Sequence, residues 1–172
     1  MEGNGKWLDM NGPIMADTVY SDNVLVARDV AFTLPAAVFK TVTMSAMGDM
    51  NVPLPGLFDN MELSITKIGV DAGLGNMNKL EKQDLEFRFL QSRITADGTT
   101  KQVGCKAFVR TLPVGIPEIG VEVGNTTEVP LTYTVTRMQL YAEGAEILCI
   151  DRLARVLRYN GKDYMTSVDS LL

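Results

Sequence analysis

The stretch Leu131-Thr132-Tyr133-Thr134-Val135-Thr136-Arg137-Met138-Gln139-Leu140-Tyr141 decides the fold class. Leu131, Tyr133 and Val135 alternate with Thr132, Thr134 and Thr136, the period-two pattern of a strand with two unlike faces. Two shorter strands are expected after it, Glu146–Asp151 and Ala154–Tyr159, with tight turns at Ala142-Glu143-Gly144 and Tyr159-Asn160-Gly161-Lys162. The chain thus closes on a β-meander without a reactive group. One face of such a ribbon packs a core, and the other meets water or another subunit.

The same reading extends toward the amino terminus. Strands are expected over Asn23–Phe32, Ala37–Met44, Met61–Ile68, Asp84–Ile94 and Thr100–Thr111, the last two joined by a hairpin at Thr95-Ala96-Asp97-Gly98-Thr99. One short helix is expected from about Gly73 to Gln83, capped by Asp71, with Leu74, Met77 and Leu80 at helical spacing. Two long loops interrupt the pattern. The first is Met47-Gly48-Asp49-Met50-Asn51-Val52-Pro53-Leu54-Pro55-Gly56-Leu57, where Pro and Gly break the regular repeat and apolar side chains are left exposed; the second is Leu112–Thr127. The expectation is a mainly β protein, an antiparallel β-barrel or sandwich of about eight strands with one short α-helix. Residues 1–22 read as an arm or leader, with Trp7 as a docking residue, and 23–172 as the β-domain.

With 172 residues, 46% apolar and 22% charged, the chain has the composition of an ordinary globular domain. About 70% of its unfolded surface could be buried on folding. No apolar run reaches the roughly 20 residues that span a bilayer, and Met1–Ile14 lacks the apolar segment of a signal peptide, so neither membrane insertion nor export is expected. Cys105 and Cys149 lie in apolar, strand-like runs and read as buried free thiols. The net charge of −5 argues against a protein that grips nucleic acid.

The chain contains no histidine, which excludes Ser-His, Cys-His and His-metal chemistry. Asp59 with Glu62, or Glu81 with Asp84 and Glu86, could form an acid/base pair, but charges at turns and helix ends are ordinarily solvated. Gly73-Leu74-Gly75 lacks the third glycine and the βαβ context of a phosphate loop. No catalytic, cofactor-binding or metal-binding residue is assigned, and no enzyme activity is expected. Ten Met residues are present, and Met44, Met47, Met50 and Met61 gather around the first loop, where they read either as core filler or as an adaptable contact with another subunit. Arg152, Arg155 and Arg158 recur every third residue. They read either as partners for Glu143, Glu146 and Asp151 or as cations pairing across a subunit interface.

Taken in order, these pieces resemble the major tail tube protein of contractile-tailed phages and phage-tail-like bacteriocins. The resemblance runs from about Asn23 to the carboxyl end. It rests on Asn23–Phe32 with Thr33-Leu34-Pro35, the Gly/Pro-rich segment leading into Met61-Glu62-Leu63-Ser64-Ile65, and the closing Arg137–Gly144, Glu146–Asp151 and Tyr159–Tyr164. It implies hexameric rings stacked into a hollow inner tube, in which Gly48–Leu57 reaches the next ring as a projecting hairpin and the lumen is acidic. It also implies as partners further copies of the chain, a sheath protein, a tape-measure protein, and baseplate and tail terminator proteins. DNA would transit without specific binding, or a target membrane would be depolarised. The implied location is a virion tail assembled in the host bacterial cytoplasm. Two other readings are a tube subunit of a contractile secretion machine and a monomeric β-barrel holding an apolar ligand among Phe87, Phe89, Phe108 and Tyr133.

Overall fold

Strand β9, Glu128–Ala142, is the longest in the protein and the place where the architecture divides. The computed structural model describes residues 9–172. One edge of β9 pairs with β8 (Thr100–Pro113) between Tyr133 and Ala142. Its other edge is shared, by β6 (Glu62–Ile68) over Glu128–Thr134 and by β10 (Ala145–Asp151) over Arg137–Ala142. At the fork Val135 N donates to Met61 O at 2.8 Å and Arg152 N donates to Thr136 O at 3.0 Å.

From β9 the sheet continues on one side through β8, β7 (Gln83–Ile94) and β1 (Met10–Ser21) to β2 (Val24–Arg28). On the other it continues through β10 and β11 (Val156–Tyr159) to β12 (Lys162–Asp163). β6 carries the three-residue β3 (Ala31–Thr33) and lies over this sheet. Every pairing is antiparallel. The expected mainly antiparallel β class is what the chain adopts, with twelve strands among the described residues rather than about eight.

The core lies between the two layers. Val19, Phe87 and Ala107 face it from the long sheet, and Leu63 and Ile65 face it from β6. Phe32 of β3 meets Phe87 with ring centroids 4.4 Å apart. At one end the Tyr133 hydroxyl donates to the Met77 carbonyl, tying β9 to helix α1 (Ala72–Met77), and burial pushes the phenol far above its ordinary pKa. Asp71 caps α1 by accepting from Leu74 N at 3.2 Å and pairs with the nearly buried Lys67 at 3.1 Å. A Cβ on Gly73 would fall 2.3 Å from the Val26 carbonyl oxygen, so only glycine lets α1 press against β2.

Several elements differ from the sequence reading. The β-structure begins at Met10, not Asn23, so residues 10–22, expected within the arm, form a sheet strand and the start of its turn; Trp7 lies outside the described residues. Register shifts at Asn11/Ile14 and Ile14/Ala16 hide the alternation of β1. The ribbon expected over Asn23–Phe32 breaks at Asp29, whose φ is 52°. Helix α1 stops at Met77 instead of Gln83 and leaves Leu80 exposed, because Gln83 is claimed by β7. The strand expected from Ala154 starts at Val156. Both cysteines are buried and unpaired, as expected.

Candidate functional site

Among the described residues, strands β4 (Phe39–Ser45) and β5 (Asp49–Phe58) pair only with each other. The segment expected as an irregular loop is therefore a two-stranded ribbon, turning through Ala46, Met47 and Gly48. Pro53 and Pro55 are tolerated because each outer edge is open and no ladder bond is forfeited there. Opposite residues in the register share a face, so Val42 with Val52, Met44 with Met50, and Leu54 beside Lys40 form one apolar side. Thr41, Thr43, Ser45, Asp49 and Asn51 form a polar side, where the Thr43 hydroxyl meets Asn51 Oδ1 at 3.0 Å.

The apolar side has no core beneath it. Val42, Met44 and Met50 are about half exposed, and Met47 at the turn is fully exposed. Only the base of the ribbon is anchored. Phe39 and Phe58 stack at 5.3 Å, Arg152 Nη2 donates to Phe58 O at 3.2 Å, and Gly56 lies against the Met165 thioether. Below the base, Pro35, Ala37 and Pro55 line an apolar groove with Leu148, Leu157 and Tyr164. The expected interface residues Met47 to Leu57 thus sit together on one projecting element.

The outward face of the long sheet is different in kind. Cross-strand register aligns Asp84, Arg110, Arg137 and Asp151 in one row, and Glu86, Phe108, Gln139, Cys149 and Arg158 in the next. Arg88 and Lys106 continue a third row with Tyr141 and Glu146. Arg110 and Lys82 reach Asp84 at 3.1 and 2.9 Å, Arg88 reaches Glu86 at 2.7 Å, Arg158 reaches Glu146 at 3.0 Å, and Arg137 reaches Asp151 at 3.6 Å. The hydrogen bond from Gln139 and the Arg158 guanidinium hold the Glu146 carboxyl below its usual range. Burial pushes Asp84 up, but Lys82 and Arg110 outweigh it and hold that carboxyl low. This face is charge-paired rather than acidic.

The three arginines do not act as one group. Arg158 points onto the paired sheet face, whereas Arg152 and Arg155 lie in the β10–β11 turn, and Arg155 has no ion-pair partner among the described residues. Of the acids expected to meet them, only Glu146 does so; Glu143 pairs with Arg93 and Asp151 with Arg137. A strand alternates sides every residue, so a spacing of three cannot keep side chains together as it would on a helix. The aromatic cavity does not form either. Phe87 pairs with Ala107 and points inward, while Phe108, opposite Glu86, points outward and packs edge-on against Tyr141 at 5.8 Å. Among the described residues no cluster of three metal-ligating side chains occurs.

A β-domain with an uncovered amphipathic ribbon and a charge-paired sheet face fits the class of structural subunits that bury surface against one another. The family model described as phage tail tube protein FII matches residues 13–172, and the chain belongs to that family. It is a tail tube subunit. In fold it is similar to a chain of the cryo-EM structure of an extracellular contractile injection system, the PVC sheath–tube complex in the extended state. The TM-score is 0.50 at 14% identity, covering 76% of this chain and 91% of the other. No curated protein sequence matches the chain closely enough to count as a relative.

Proposed function

We propose that the subunit forms hexameric rings stacked into the hollow inner tube of a contractile phage tail or related particle, enclosed by a sheath. The observation that carries this reading is the β4–β5 ribbon. A two-stranded hairpin with both edges open and an apolar face bare is marginal by itself in water, so it calls for a partner surface. In the stacked tube that partner is the next ring. The ribbon residues Met47 to Leu57 then supply the contact between rings.

The charge-paired sheet face is the candidate wall of the channel. Its bases neutralise its acids in place, so DNA passing over it meets neither a row of free cations to bind nor a strong repelling field. This replaces the acidic lumen implied by the resemblance with a nearly neutral one. A tape-measure protein, baseplate and tail terminator proteins, and assembly in the bacterial cytoplasm complete the proposal. The likeness to a sheath–tube complex supports the sheath as a partner and keeps a contractile secretion machine as the alternative setting.

Negative-stain electron microscopy of the purified protein, with mass photometry over a concentration series, tests the reading. Six-fold rings or hollow tubes are the expected result, and a species that stays near 19 kDa at every concentration overturns it. Val52→Asp with Leu54→Asp leaves the monomer folded and abolishes stacking, because charge enters an apolar contact. Long tubes from that variant would remove the ribbon from the interface between rings.

A further inference from the structure

Two exposed segments carry opposite charge and do not meet within the chain. From Thr111 to Thr136 there is no Lys or Arg, while Glu118, Glu122 and Glu128 are exposed and form no ion pair among the described residues. The exposed β10–β11 turn Arg152–Arg155 carries two cations and no acid. Arg152 and Arg155 flank Leu153, which is 83% exposed at the β10–β11 turn. Asp151 holds that turn in shape by accepting from Leu153 N and Ala154 N, both at 3.0 Å.

The acidic segment, the strap Val114–Thr127 between β8 and β9, is also aliphatic, with Ile116, Val121 and Val123 largely exposed. Its ends are fixed, by Asn78 Nδ2 donating to Gly115 O at 3.2 Å and Gly69 N donating to Thr127 O at 2.8 Å. Between Gly115 and Glu122 its backbone makes no hydrogen bond to another described residue. The turn abuts Thr136 of β9, while the strap leaves β8 at Pro113, opposite Tyr133, and enters β9 at Glu128. Among the described residues no ion pair or backbone hydrogen bond joins the turn to the strap, so neither surface satisfies the other within the subunit.

We propose that the Arg152–Arg155 turn of one copy docks on the Val114–Thr127 strap of another copy of this chain. Leu153 enters the aliphatic strip between Ile116 and Val123, and Arg155 pairs with Glu118 and Glu122. The two surfaces differ, so the contact is heterologous and propagates around a ring or along a stack instead of closing a dimer. The inference rests on the reading of the chain as a self-assembling tube subunit and names a contact within that assembly.

Charge exchange tests it. The turn variant Arg155→Glu carries acid on both surfaces, and the strap variant Glu118→Lys with Glu122→Lys carries base on both. Each alone raises the concentration needed for assembly about ten-fold or more at low salt. An equimolar mixture assembles nearly as wild type, since alternating copies restore both contacts. A folding defect would not be rescued by mixing, and circular dichroism of each variant checks the fold directly. Wild-type assembly by either single variant, or no rescue in the mixture, overturns the contact while leaving the tube reading intact. A wild-type chain that stays monomeric overturns both.

Discussion

The β4–β5 ribbon and the β6–β9 layer are built from the same kind of alternating sequence, yet one is bare and the other buried. Leu63, Ile65, Leu131 and Tyr133 alternate with polar residues and are nearly inaccessible, because the long sheet lies over them. Val42, Met44 and Met50 alternate equally well, and no described residue of the subunit buries them. Amphipathicity states that a face will be buried, but not by which chain. In the layer the answer is intramolecular, and in the ribbon it is left to assembly.

The sharpest way to break that distinction is to truncate one side chain in the layer. Phe87→Ala removes a ring with no exposed surface that stacks on Phe32, and is expected to cost about 3–5 kcal/mol of monomer stability in denaturant unfolding. A loss comparable with a surface substitution would mean the layer is not the stabilising core. Gly56→Ala probes the joint between the two regions. Its φ is +90° and a Cβ there would fall 2.8 Å from Met165, so a loss of about 1–2 kcal/mol is expected, with the melting temperature as the measure.

Smaller still is the effect of Val52→Asp with Leu54→Asp on the isolated monomer, under about 1 kcal/mol, since the ribbon contributes little to the core. The same variant loses stacking entirely, which separates the two roles in one protein. The mildest probe is acid. Asp84 and Glu146 are held low by their partners, so the stability they add is present at neutral pH and lost as pH falls through their depressed folded values. The expected result is a modest drop in melting temperature below about pH 4, reduced in Asp84→Asn with Glu146→Gln. An acid response unchanged in that variant would locate the sensitive groups off the sheet face.

Much of this was legible because side-chain alternation and turn chemistry are local. Leu131, Tyr133 and Val135 are buried as their spacing requires, and Glu143-Gly144 and Asn160-Gly161 adopt the positive φ values of tight hairpins. The alternation misleads only after Val135, where a bulge opposite Arg110/Thr111 moves the inward set to Met138. What stayed hidden depends on neighbours distant in sequence. β1 is a strand because β7 pairs along its whole length, despite Gly12 and Pro13. The Pro-rich β5 is a strand because its outer edge is open, a condition that composition does not record. The roles of Arg155 and Arg158 likewise parted only when the register placed one in a turn and the other opposite Cys149.

The sharing of β9 between two strands has a kinetic side. β7, β8, β9 and β10 follow one another by short or looped connections and can pair as they are synthesised. β1 with β7 and β6 with β9 instead join residues roughly 70 positions apart. Such long closures are slow, so β1 has only β2 beside it until β7 emerges, and β6 has only the three-residue β3 beside it until β9 leaves the ribosome. Throughout that interval the bare ribbon is already complete. The cell must therefore finish each subunit before its ribbon meets another, and the rate at which β9 captures β6 sets how long that exposure lasts.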